Sequence, residues 1–192
     1  AIGHQALQNQ NDTTSAFVHN VAVGHKAGNA VTTGIENTLI GGLAGDALTD
    51  ADYNVAVGKA SLTADVLGSR STAIGFNALN AQNFTTATNS NNTAVGYQAG
   101  TAVTTGTSNV LIGSQAGDAL TDADHNVAIG ADALSGDTLG SKSVALGAFT
   151  LKNQNFTTAT NAYNVAVGYD AGNDITTGIN NTLVGGQSGY AL

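Results

Sequence analysis

Acidic side chains are the first candidates for chemistry in this sequence. Of its 13 carboxylates only Glu36 is a glutamate, and six aspartates fall in two copies of one phrase, "GDALTDAD". Those copies place Asp46, Asp50 and Asp52, and again Asp118, Asp122 and Asp124, within short polar loops. Oxygen-rich loops of this kind are the raw material of calcium sites. The glycine-spaced and EF-hand patterns that shape such loops are missing, however, so turn formation is the favoured reading. Four histidines, His4, His19, His25 and His125, form neither H-x-H nor H-E-x-x-H. Three of them give way to Asn or Tyr at the 72-residue register, His19 and His25 further on and His125 one period back, as expected of surface positions, so neither a metal nor a cofactor is expected. No nucleophile elbow or paired-carboxylate motif stands out, and the chain is not expected to be an enzyme.

A second set of candidates lies in three longer loops: Gln8–Asn20, Asn80–Asn92 and Lys152–Asn164. They carry Phe17, Phe84 and Phe156 together with amides, notably Gln82, Asn83, Gln154 and Asn155. Aromatic plus amide is the chemistry of glycan or protein contact. These seven residues are the receptor-contact candidates. The competing reading has Phe84 and Phe156 tucked beneath the longer loop to shield it.

Composition narrows the possible partners. The formal net charge is −8, and the five basic residues (Lys26, Lys59, Arg70, Lys142, Lys152) are scattered. Nucleic acid is therefore excluded for want of a cationic footprint, and no apolar run approaches the length of a membrane span. Pro, Cys, Met and Trp are absent while glycine reaches 25, which fits thin repetitive packing better than a core of large side chains.

What positions the loops is a repeat. Phrases such as "NVAVGHKAG" and "NTAVGYQAG" recur with their glycine at Gly3, Gly24, Gly41, Gly58, Gly75, Gly96, Gly113, Gly130, Gly147, Gly168 and Gly185. Successive spacings are 21, 17, 17 and 17, which sum to a super-repeat of 72 residues. Within each phrase a Val or Thr, then Ala or Leu, then Val, Ile or Leu precede the glycine, an alternation that predicts a short strand. Strand, glycine bend, short second segment and polar turn together describe one coil of a parallel β-solenoid. About eleven coils at about 4.8 Å each give a rod on the order of 50 Å long. A single solenoid domain over residues 1–192 is expected, as a fragment of a longer fibrous chain.

The usual alanine at the middle position suits a narrow lumen. That leaves Val23, Ile40, Val57, Ile74, Val95, Ile112, Ile129, Leu146, Val167 and Val184 facing outward. A stripe of branched aliphatics along a whole rod predicts an interface with other copies.

The phrase "NTAVGYQAGTAVTTGTSN" (Asn92–Asn109) resembles the head repeat of YadA-like trimeric adhesins and, more closely, the repeat arrays of bacteriophage tail fibres. The resemblance runs over essentially the whole chain. It implies a left-handed parallel β-roll in which three chains, intertwined or side by side, meet through the branched-aliphatic row. It also implies a structural fibre segment in a virion tail that presents or contributes to binding of a host-surface glycan or protein, with no membrane insertion. Adhesin heads use shorter coils, which favours the fibre over the alternative of a bacterial outer-surface adhesin. A glycan-degrading tailspike and an ice-binding solenoid are the remaining alternatives, each lacking its characteristic walls or threonine rows.

Overall fold

One parallel sheet of ten three-residue strands runs through the protein, in a computed structural model that describes residues 1–11, 13 and 17–190. Its strands, in spatial order, are β1 (Val21–Val23), β2 (Thr38–Ile40), β3 (Val55–Val57), β5 (Thr72–Ile74), β7 (Thr93–Val95), β8 (Val110–Ile112), β9 (Val127–Ile129), β11 (Val144–Leu146), β13 (Val165–Val167) and β14 (Thr182–Val184). Each strand pairs with the next coil's strand in strict register, as Val21, Ala22 and Val23 do with Thr38, Leu39 and Ile40. The first phrase of the chain adds only an isolated bridge, Ile2 to Val23. The result is an all-β parallel solenoid of about ten turns, one fewer than the eleven phrases predict, and the described residues contain no helix. Nine inter-strand steps of about 4.8 Å make the sheet about 43 Å long.

Two accessory pairs, β4 (Gly68–Ser69) with β6 (Thr88–Asn89) and β10 (Gly140–Ser141) with β12 (Thr160–Asn161), mark where the spacing slips to 21 residues. The four extra residues are thus spent on a second, outer strand pair.

The alternation within each strand fixes its two faces. The middle residues from Ala22 to Ala166 are buried in the lumen, while the residues on either side are half-buried or exposed. A second buried row of small residues, Ala27, Ala44, Ser61, Ala78, Ala99, Ala116, Ala133, Thr150 and Ala171, lines the opposing wall. Between them the lumen is filled by size compensation. Leu39 enters the space left by Gly28 and Gly45: a Cβ on Gly28 would lie 2.6 Å from Leu39 Cδ1, and one on Gly45 2.8 Å from Leu39 Cδ2. In the two following coils the strand middle is Ala56 or Ala73, and the position of Gly45 is taken by Leu62 or Leu79, both fully buried. This exchange of large and small keeps lumen volume constant.

The glycine that ends each phrase answers to backbone, not to ligand. Gly24 has φ +137°, and a Cβ there would sit 2.5 Å from the Gly41 carbonyl oxygen of the next coil. That conformation is essentially closed to other residues.

A column of asparagines ties coil to coil. Asn20 Oδ1 accepts the Asn37 N–H at 2.8 Å, Asn37 Oδ1 the Asn54 N–H at 2.9 Å, and Asn54 Oδ1 the Ser71 N–H at 2.9 Å. Each Nδ2 donates to the carbonyl 14 residues ahead, as Asn37 does to Ala51 at 2.7 Å and Asn54 to Gly68 at 2.9 Å. Asn92, Asn109 and Asn126 repeat the column up to Ser143. The residue before each member, from His19 to Asn180, takes a left-handed φ of 40–66° and turns its side chain away from the lumen at a coil corner.

Candidate functional site

Ser71 and Ser143 interrupt the asparagine column, and the longer loops that follow supply the replacement. Gln82 lies inside the lumen, where its Nε2 donates to Asp65 Oδ2 at 2.6 Å and its Oε1 accepts from Asn92 Nδ2 at 2.9 Å. Asp65 Oδ1 in turn accepts the N–H groups of Gly68 at 3.0 Å and Phe84 at 2.9 Å. Gln154, Asp137, Gly140, Phe156 and Asn164 repeat the arrangement with closely similar distances. Every polar atom of these buried carboxylate–amide pairs that faces the lumen has a partner, which is the condition for tolerating them there.

This geometry corrects part of the sequence-based expectation for receptor contact. Gln82 and Gln154 are fully buried and Phe84 and Phe156 only 6% exposed, so these four close the long coils from within. Asn83 and Asn155 remain exposed beside them. Phe17 is 69% exposed and stacks on His19 at 5.7 Å, but it is no counterpart of Phe84. A shift of 72 residues sets Phe17 on Asn89, not on Phe84. Part of its loop, residues 12 and 14–16, lies outside the described residues.

What the longer loops do expose is Thr85-Thr86-Ala87 and its copy Thr157-Thr158-Ala159. These sit at the crest of the phrase "NFTTATN", identical in both copies. Thr88 Oγ1 and Thr160 Oγ1 brace the crest by donating to the Thr86 and Thr158 carbonyls at 3.0 and 2.9 Å.

The aspartate loops bond to threonine hydroxyls and backbone N–H groups of neighbouring coils. Asp50 accepts from Thr33 Oγ1 at 2.6 Å, Asp52 accepts the Ile35 N–H at 2.8 Å, and Thr63 Oγ1 donates to Asp46. Asp122 and Asp124 repeat the pattern with Thr105 and Thr107. Asp118 is held above the ordinary carboxylate range, chiefly because burial disfavours its charge, with a further push from Asp132 and opposing pulls from its own N–H, Gln115 and Lys152. Among the described residues no three His, Cys, Asp or Glu side chains come together as a metal-ligand group. His4 and His25 stack face to face, with centroids 5.5 Å apart and planes 6° from parallel.

The aliphatic row lies on the outer face of the sheet along the length of the rod. Ile40, Ile74 and Ile129 are 37–38% exposed, and Val57, Val95, Ile112, Leu146 and Val167 are half-buried. Val23 and Val184 stand at its two ends. The sequence reading missed that the first strand position shares this face. Val55, Val110, Val127, Val144 and Val165 widen the row into a strip, as the period of two requires. One residue past the glycine bend, Phe76 and Tyr97 stack at 5.6 Å and extend it with exposed aromatic surface.

Comparison with protein-family models, with curated proteins and with solved structures gives no match for this chain.

Proposed function

We propose that this chain is a structural segment of a bacteriophage tail fibre: a left-handed β-roll that assembles as a homotrimer into a rigid rod and presents, or contributes to, host-receptor contact. The observation that carries the reading is the outer aliphatic strip. Ten strands in unbroken register hold branched aliphatic side chains on one face, half-exposed on a single chain. Soluble proteins rarely leave a continuous apolar surface of that extent uncovered, and a second and third copy of the same straight strip are its natural complement. In this reading the interface residues are those of the row from Val23 to Val184. No catalytic step belongs to it: the rod's work is length, stiffness and the presentation of its loops, three copies at a time.

Sedimentation equilibrium and native mass spectrometry test the proposal directly. A trimer is expected, and replacement of Val95 and Ile112 by Asp is expected to dissociate it while each chain keeps its β-rich circular dichroism. A monomeric wild-type chain would overturn the reading, as would a trimer indifferent to both substitutions.

A further inference from the structure

The tripeptide Asn-x-Thr, the acceptor signal for N-linked sugar, begins at Asn11, Asn83, Asn91, Asn155 and Asn180. Three of the five share one place in the super-repeat: a shift of 72 residues carries Asn11 onto Asn83 and Asn83 onto Asn155. The backbone holds these three alike. The N–H groups of Asn11, Asn83 and Asn155 donate to the carbonyls of Thr32, Thr104 and Thr176 at 3.1, 3.0 and 2.9 Å. Each asparagine is exposed, and so is the threonine two residues on, Thr13, Thr85 or Thr157. Between them the residue changes, from Asp12 to Phe84 and Phe156, and the Thr88 and Thr160 that brace the later crests align with Ala16. The asparagine and the threonine stay the same.

Packing does not account for that pair. Asn155 Oδ1 accepts from Thr138 Oγ1 at 3.2 Å, but the counterpart of Thr138 is Val66, which has no hydroxyl to offer Asn83. Among the described residues the Nδ2 atoms of Asn83 and Asn155 donate to nothing, and the hydroxyls of Thr85 and Thr157 make no hydrogen bond. The remaining two tripeptides are built into the frame instead. Asn91 and Asn180 stand at coil corners, with φ +51° and +59°. Their middle residues, Asn92 and Asn181, belong to the asparagine column, and Thr93 and Thr182 open the paired strands β7 and β14. Bringing asparagine and threonine together there requires breaking the sheet.

We propose that Asn11, Asn83 and Asn155 are N-glycosylation sites, modified by a separate transferase that uses a sugar activated as its 1-diphosphate ester. The asparagine Nδ2 forms a bond to the anomeric carbon as the bond from that carbon to the diphosphate oxygen breaks. The diphosphate leaves with the electron pair, one amide proton is released, and nothing is oxidised or reduced. The threonine hydroxyl two residues on is the element that the transferase reads. The sites recur every four coils, about 19 Å along the rod. None of them lies in the ten-stranded sheet, so the sugars leave the aliphatic strip clear. The inference goes beyond the tail-fibre reading and needs only one chain.

The first test is intact mass and peptide mapping of the full chain from its native source, where sugar is expected on Asn11, Asn83 and Asn155. The second treats the folded, unmodified chain in two arms: UDP-glucose with a soluble N-glycosyltransferase, and a lipid-linked oligosaccharide with its membrane transferase. The arm that reproduces the native mass identifies the donor. Asn91 and Asn180 are expected to be at least about tenfold less occupied, because a paired strand must open first. Thr85→Ala is expected to abolish sugar at Asn83 and leave Asn155 modified, while Thr85→Ser restores it and Thr86→Ala changes neither site. All three variants should melt like the parent chain, which separates loss of the signal from loss of the fold. An unmodified native chain, no transfer in either arm, labelling of Asn91 and Asn180 as full as that of Asn83, or a Thr85→Ala chain still modified at Asn83 would each overturn the proposal. A glycosylated monomer sinks the trimer and spares these sites; an unmodified trimer does the reverse.

Discussion

Gln82 and Asp65, 17 residues apart in sequence, meet inside the lumen through a 2.6 Å hydrogen bond, with both side chains wholly buried. Their row elsewhere holds Val31, Leu48, Val103, Leu120 and Ile175, so the super-repeat writes two apolar fillers and then a polar pair. The pair stands where the asparagine column stops at Ser71, and it reconnects the coils on either side of the long loop.

Removing one partner strands the other. Asp137→Ala leaves the N–H groups of Gly140 and Phe156 and the Gln154 amide without their acceptor. A loss of about 3–5 kcal/mol is expected by denaturant unfolding, since each buried orphan costs about 1–3 kcal/mol. The Gln154→Leu change made together with Asp137→Leu is expected to cost less than the sum of the two single changes. Strict additivity would show that the two side chains do not act as a unit.

The asparagine column predicts a smaller, local cost. Asn109→Ala removes an acceptor for the Asn126 N–H and a donor to the Ala123 carbonyl, both buried. About 2–3 kcal/mol of stability should be lost, read from the midpoint of chemical denaturation. Hydrogen exchange should quicken first at Asn126 and its neighbours.

Leu39 and Gly45 test size compensation. Leu39→Ala alone empties the lumen and is expected to cost about 2–5 kcal/mol. Gly45→Leu alone drives a side chain against Leu39 Cδ2 and Leu48 Cδ1, each 2.8 Å from the first atom added. Together the changes bring in the next coil's combination of Ala56 with Leu62 at φ +51°, with Leu48 still in the place that Asp65 holds there. The double variant should therefore be more stable than either single variant in thermal melts.

Asp118 gives a pH prediction. Its folded-state pKa is raised, so the burial penalty on its charge is present above that value and is lifted as the pH falls through it toward the ordinary range near 3.8. Asp118→Asn should raise the melting temperature at neutral pH, and the gain should shrink as the pH falls through that window. A gain that grows toward acid pH would contradict the assignment.

Much of the fold was legible because its signal is local and repeated. The glycine spacing gave the coil, and the alternation of Val, Ala and Val gave the face that turns inward. Ala and Leu at the strand middle are both apolar, yet only the opposing Gly28, Gly45 and Leu62 explain their order, and that pairing crosses coils. The candidate loops were less legible. Phe84 and Gln82 look like surface recognition residues in sequence because nothing local says that Asp65 lies beneath them. Polar side chains read as exposed until their partners are known.

The asparagine column and the sheet both run their hydrogen bonds from coil to coil, parallel to the length of the rod. Under axial tension such bonds are loaded in series, so the rod is only as strong as its weakest coil boundary, and adding coils does not strengthen it. The boundaries after Ser71 and Ser143 are the distinctive ones, since a glutamine and an aspartate there stand in for the missing asparagine rung. When pulled, a rod built this way is expected to fail in steps of four coils.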